Sequence, residues 1–137
     1  MNVLVDTCVW SRALRQASPD DVLAIQLKSL IIQARVVLIG PIRQELLSGI
    51  SETRQFHVLK EKLAPFEDLP LTTEHFEKAA EFCNLCRRKG IQGSTIDFLI
   101  CAVVALENIA VFTVDGDFDH YKKHLPFSLF SPESDKG

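Results

Sequence analysis

At 137 residues the chain is the size of one domain, and 47% apolar with 24% charged residues is the balance of an ordinary globular protein. No apolar run approaches the about 20 residues that span a bilayer, and the start MNVLVD lacks the basic stretch of a secretory signal, so a cytoplasmic protein with no membrane association is expected. A net charge of −3 rules out nucleic-acid binding by bulk charge and leaves it to local basic patches or bound cations.

Val3-Leu-Val5 reads as a short strand buried on both faces, and Asp6 follows it at once. A carboxylate there is costly unless donors, a basic group or a metal meet it, so Asp6 is either a cap or one ligand of a site. Val9 to Leu14 suits a short helix carrying Arg12 and Arg15. Ser18-Pro19-Asp20-Asp21 has the chemistry of a helix start, and apolar residues then recur at helical spacing to about Ala34. Val36 to Ile39 is a second buried strand. Gly40-Pro41 closes it, and Pro41 begins a short helix, Ile42 to Ser48, that carries Arg43 and Glu45 and is ended by Gly49.

Ser51 to Leu63 suits a helix with Phe56, Leu59 and Leu63 on one side. Phe66 to Leu71 holds a short strand, expected at an edge because Pro70 interrupts it. Thr73 opens an amphipathic helix whose apolar face is read as Phe76, Ala79, Ala80, Cys83 and Cys86; it closes on Arg87-Arg88-Lys89 and Gly90. Ile96 to Leu106 is apolar nearly all round, as in a buried central helix, and Asp97 is its one early charge. Val111 to Val114 is a strand, Asp115-Gly-Asp-Phe-Asp119 a turn and helix start, and Phe127 to Phe130 a last short strand. Strands alternating with helices give an α/β class with a mainly parallel sheet of about five strands. Residues 1–130 form the domain and 131–137 a polar tail. The four cysteines, including Cys83 and Cys86 at helical spacing, fit reduced thiols better than a zinc site.

Asp6, Glu45, Asp97 and Asp115 all follow strands or open helices, which in a parallel sheet puts them on one edge. Each has a plain structural account: Ser94-x-x-Asp97 is capping chemistry, Asp115-Gly116 is turn chemistry, and Asp117 serves as an N-cap. Together they strain that account, because carboxylates ~5 Å apart repel by roughly 3 kcal/mol at an effective dielectric near 20. Hard divalent cations suit all-oxygen sets of this kind.

The ordered blocks Val5-Asp6-Thr7, Glu45-Leu-Leu-Ser-Gly49, Ser94-Thr-Ile-Asp97 with the apolar run after it, and Thr113-Val-Asp115-Gly-Asp117-Phe118 resemble the PIN-domain ribonucleases, specifically the VapC-type toxins of toxin–antitoxin pairs. Cys8 and Cys101 depart from the usual residues of such chains without removing an acid. The resemblance implies a three-layer α/β/α sandwich and an acidic pocket of Asp6, Glu45, Asp97 and Asp115 holding Mg²⁺ or Mn²⁺. Asp6 and Asp97 would be the direct ligands, Asp117 a weaker candidate, and Thr7 and Thr113 orienting neighbours. It implies metal-assisted hydrolysis of RNA, a small VapB-type antitoxin partner and a homodimer. Arg12, Arg15, Arg43 and the run Arg87 to Lys89 are candidate RNA contacts, the run equally explained by its helix end; Trp10 either stacks a base or packs the core. Two rivals are a catalytically silent PIN-fold RNA- or protein-binding module and an aspartyl-phosphate enzyme. The latter lacks its Asp-x-Asp here, since Asp6-Thr-Cys8 offers no second acid.

Overall fold

The computed structural model describes residues 1–15 and 18–131. Its elements are β1 (Val3–Val5), α1 (Thr7–Arg15), α2 (Val22–Ile32), β2 (Val36–Val37), α3 (Gly40–Ser48), α4 (Thr53–Leu63), α5 (Thr73–Arg88), α6 (Thr95–Glu107), β3 (Ala110–Phe112), α7 (Asp117–Lys122) and β4 (Ser128–Leu129). The strands form a four-stranded sheet in the order β2-β1-β3-β4, every pair parallel. From β1 the chain crosses to one side of the sheet and from β3 to the other. Right-handed crossovers therefore lay α1 and α2 on one face and α6 and α7 on the other. The direction reverses between β1 and β3, the position at which open α/β sheets form their crevice.

The two central strands, β1 and β3, are wholly interior. Val3, Leu4, Val5 and Val111 are fully buried, and α6 contributes an unbroken buried run from Phe98 to Val104. An apolar helix of that kind cannot face water on any side, so it packs between α5 and β3. No helix among the described residues is long and apolar enough to cross a membrane.

Several expectations are corrected. The expected sheet of about five strands has four, because Phe66 to Leu71 makes only one bridge, Leu38 with Asp68, supported by Leu69 N–H donating to Leu38 O at 2.8 Å. Pro65 and Pro70 flank that segment and carry no N–H, so the ladder cannot extend. Helix α2 is capped by Asp21, whose carboxylate accepts from Ala24 N–H, and Ser18 instead holds the preceding turn through Asp20 N–H. It ends at Ile32. The buried side of α5 is His75, Ala79, Phe82 and Cys86, with Phe76 left 53% exposed and Ala80 also outward. His75 lies inside because its Nδ1 accepts from Thr72 N–H while Nε2 meets Glu107 at 2.9 Å, so the imidazole is satisfied on both sides. All four cysteines are free thiols. Of the expected tail, residues 132–137 lie outside the described residues.

Ala34 joins α2 to β2 with φ 56°, a left-handed conformation that costs an L-residue roughly 1–2 kcal/mol. Ala34→Gly should therefore raise the urea midpoint by an amount worth about 0.5–1 kcal/mol, once the looser unfolded chain is counted. A midpoint unchanged or lowered would show that the turn holds no such strain.

Candidate metal centre

Strand pairing sets the site. β1 and β3 run side by side with Val5 opposite Phe112, and Asp6 N–H donates to Phe112 O at 2.9 Å, so the residues after both strands emerge together. The backbone carbonyl of Asp6 receives Val9 and Trp10 N–H, which starts α1, while its Oδ1 receives Thr7 N–H at 2.8 Å. Its Oδ2 accepts from Thr113 Oγ1 at 2.9 Å and from Cys8 Sγ at 3.6 Å. Thr113 Oγ1 in turn accepts Asp115 N–H at 3.0 Å. One hydroxyl thus links the acid after β1 to the acid after β3.

Asp115 Oδ1 accepts Asp117 N–H at 2.9 Å, a turn that swings Asp117 into the first position of α7. Asp97 arrives from the opposite side in the first turn of α6, where Ser94 Oγ caps its N–H at 3.0 Å. The outcome is a cluster in which Asp97, Asp115 and Asp117 each bring an oxygen within 4.8 Å of the others. None of the ion pairs found among the described residues neutralises these three. Asp6 stands beside the cluster, tied to Asp115 through Thr113 and close enough for the charge of Asp97 to act on it.

The expected site residues therefore fall into two places. Asp6, Asp97 and Asp115 meet at the crevice, joined by Asp117, which sequence alone ranked as a weaker candidate. Glu45 is exposed on α3, outside the group of three carboxylates, and lines a groove with Ser11, Leu14 and Arg15 of α1 and Val58 of α4. Thr113 orients two acids. Thr7 does so through its backbone N–H, and its hydroxyl is buried without a partner among the described residues.

Two residues of the site were not foreseen. Cys8 places its thiol 3.5 Å from Thr113 Oγ1 as well as near Asp6, and burial pushes that thiol up, so it remains a protonated donor. Tyr121 donates its hydroxyl to Asp97 Oδ2 at 2.7 Å; burial first, and the hydrogen bond with Asp97 next, push it far above its ordinary value. Cys8 was legible as a departure beside Asp6, whereas Tyr121 lies in a different helix and no spacing links it to Asp97.

The basic and aromatic candidates also separate. Arg43 is structural: its Nε pairs with Asp68 at 3.0 Å and its other nitrogens donate to Leu63 O and Phe66 O. Arg12 pairs with Asp21 at 3.6 Å. Trp10 is 3% exposed and meets Phe66 edge to face at 5.4 Å, so it packs the core and offers no face to a base. Arg87, Arg88 and Lys89 are exposed at the end of α5, on the connection that leads to Ser94 and Asp97.

Comparison with known proteins agrees with this geometry. The model of the PIN domain family matches residues 3–124. A chain of FitAcB from Neisseria gonorrhoeae superposes with TM-score 0.76 at 25% identity, covering 96% of this chain and 98% of that one. A chain of VapBC2 from Rickettsia felis, solved with a DNA fragment from its promoter, gives TM-score 0.73 at 17% identity over 96% and 98%. A chain of DNA-bound VapBC from Salmonella typhimurium gives 0.72 at 15% identity over 96% and 97%. No curated protein matches the sequence significantly.

Burial holds the Asp6 carboxyl above its ordinary 3.8, with the Thr113 and Thr7 hydrogen bonds opposing that shift and the charge of Asp97 adding to it. An acid raised in this sense binds more protons folded than unfolded within the window, so its ionisation costs stability as pH climbs from 3.8 through the raised value. Asp6→Asn should thus melt higher than wild type without metal at about pH 7, and the gain should vanish well below the ordinary value, where both side chains are neutral. Melting curves across that range decide it; a gain independent of pH, or a loss at neutral pH, contradicts the assignment.

Proposed function

The chain belongs to the PIN domain family, and from that premise we propose that it is a metal-dependent endoribonuclease, the toxin of a VapC-type pair silenced by a VapB-type antitoxin. The observation that carries the reading is the acidic cluster at the sheet's switch point, built from oxygen donors and joined by none of the ion pairs found among the described residues. Such a set fits Mg²⁺ or Mn²⁺, which prefer carboxylates and water, and the unpartnered Thr7 hydroxyl beside it is a further oxygen without a protein donor. Asp97, Asp115 and Asp117 would hold the cation with Asp6. When bound, the metal supplies polarisation of the scissile phosphate and a lowered pKa for the attacking water.

The chain's own groups do the rest. Thr113 holds the Asp6 carboxylate and the Asp115 backbone, and Asp117 N–H holds the Asp115 carboxylate, so these acids need little reorganisation when the cation and the phosphate arrive. Glu45, in the α1–α3–α4 groove with Arg15, would hold a water or a second cation. Arg87, Arg88 and Lys89 offset the repulsion between the acids and an RNA backbone. Hydrolysis at this site leaves a 5′-phosphate and a 3′-hydroxyl. Among the structural relatives named above are VapBC complexes, which supports a VapB-type antitoxin as partner. Exposed Val22, Ile25 and Ile32 of α2 and Phe76 of α5 give apolar surface for a homodimer or for that antitoxin.

The alternative, a PIN-fold module that binds without cleaving, loses ground because all of Asp6, Asp97 and Asp115 are present and converge. Cleavage of labelled single-stranded and hairpin RNAs with Mn²⁺ tests the choice. Asp97→Asn should lower the rate by more than the about 100-fold that loss of a ligand-orienting neighbour costs. Cutting that persists equally in the variant would refute a reaction at this site. Millimolar Mn²⁺ should also stabilise the wild type, by about 2.7 kcal/mol at a hundred times its Kd, a rise in Tm on the order of 10 °C. A Tm indifferent to the ion would leave the cluster without a metal.

A further inference from the structure

Tyr121 is the only tyrosine of the chain, and it is completely buried. Its ring is locked by Phe98 of α6 at 5.2 Å and by Phe118 of its own helix at 5.2 Å, the latter backed by Phe127 at 6.4 Å. The hydroxyl emerges from this aromatic stack directly onto Asp97 Oδ2 at 2.7 Å. Asp117 lies four positions earlier in α7, so one short helix both supplies a carboxylate to the cluster and grips a second one.

Gly93 adds an independent observation. A Cβ at this position would meet the Tyr121 hydroxyl and lie 2.8 Å from the adjacent ring carbon, with Phe98 at 3.0 Å. Both rings are buried, so a side chain at Gly93 would have to push the phenol out of its packed position, and its absence is what lets the hydroxyl reach Asp97. The α5–α6 connection, the α6 cap and α7 are therefore cut to fit a single hydrogen bond.

We propose that Tyr121 is a positioning residue for the metal centre: its hydroxyl fixes the Asp97 carboxylate and commits Oδ2, so that Asp97 meets the cation in one preset orientation. The inference rests on the reading of Asp97 as a ligand. A buried phenol needs an acceptor in any case, but a purely structural bond would affect only the fold. A positioning bond also affects cation affinity, because without it Asp97 must be ordered by the ion itself.

The experiment is Mn²⁺ titration by calorimetry of wild type, Tyr121→Phe, Asp97→Asn and the double variant, with the Tm of each metal-free protein. Tyr121→Phe should keep its fold and bind Mn²⁺ about 10–100-fold more weakly, the cost typical of an outer partner of a metal ligand. In the Asp97→Asn background the same change should have no further effect on binding, since the two residues act as one unit. Gly93→Ala, which displaces the phenol and leaves both acids in place, should weaken Mn²⁺ binding in the same direction. Because the chain has one tyrosine, the tyrosine doublet in ultraviolet resonance Raman reads this hydroxyl alone: donor-like in wild type, altered in Gly93→Ala. Unchanged Mn²⁺ affinity in Tyr121→Phe, with affinity lost in Asp97→Asn, would overturn the positioning role and leave the metal centre standing. Unchanged affinity in Asp97→Asn itself would overturn both.

Discussion

The structure turns on one hydroxyl. Thr113 stands immediately beyond β3, donates to the Asp6 carboxylate and accepts the N–H of Asp115. It occupies that place because β1 and β3 are adjacent parallel strands in register, Val5 against Phe112, so both chains leave the sheet at the same level. The carboxylate of Asp6 and the backbone of Asp115 are thus connected through one hydroxyl. Asp6 then opens α1, Asp97 lies in the first turn of α6, and Asp117 begins α7. Each carboxylate takes the positive end of a helix dipole, an interaction worth about 0.3–1 kcal/mol apiece. The fold offsets part of the cost of clustering acids with backbone dipoles; none of the ion pairs found among the described residues neutralises Asp97, Asp115 or Asp117. A cationic partner there would fill the coordination sphere that the proposed metal requires.

Much of this was readable in the sequence, for reasons that differ from residue to residue. Buried strands followed at once by acids, and an all-apolar helix with a single early charge, are local patterns tied to general rules of parallel sheets; they located Asp6, Asp97 and Asp115 before any coordinates. The capping role of Ser94 was visible from spacing and coexists with the site role of Asp97, so the two readings did not compete. Asp117 was undervalued because its sequence context is indistinguishable from an ordinary N-cap. Glu45 was grouped with the others by its place early in the helix after a strand, and in the structure it lines the groove between α1, α3 and α4.

What the sequence could not supply is contact between elements distant along the chain. His75 was overlooked as an interior residue because its burial depends on Glu107, a neighbour only after α5 and α6 pack together. Phe76, the more apolar choice at the next position, was placed inward by hydrophobicity alone. The bridge that replaces the expected strand at Phe66 to Leu71 depends equally on a local and a distant fact: prolines at both ends, and Arg43 of α3 reaching across to the Leu63 and Phe66 carbonyls and to Asp68. Arg43 was read as a candidate RNA contact because a cation near acids invites that reading. Its nitrogens are instead spent on holding a loop that has no ladder of its own.

The same reasoning explains how a small domain can carry so unfavourable a cluster. Four acids at one edge lower the stability of the metal-free fold, and marginally stable proteins tolerate such a cost only where the surroundings are overdetermined. The surroundings here are α6, buried from Phe98 to Val104, and the aromatic group Phe98, Phe118, Tyr121 and Phe127. These residues lie directly behind the acids and not at the far side of the core. Asp97 is thus held by closely packed aromatic neighbours instead of being free to move away from the other acids. Tyr121 is the point at which the two systems meet: its ring belongs to the apolar wall and its hydroxyl to the charged cluster. The wall therefore does more than stabilise the domain. It transmits the rigidity of the core to one carboxylate of the site, and a site whose ligands are already in place loses less entropy when its cation binds.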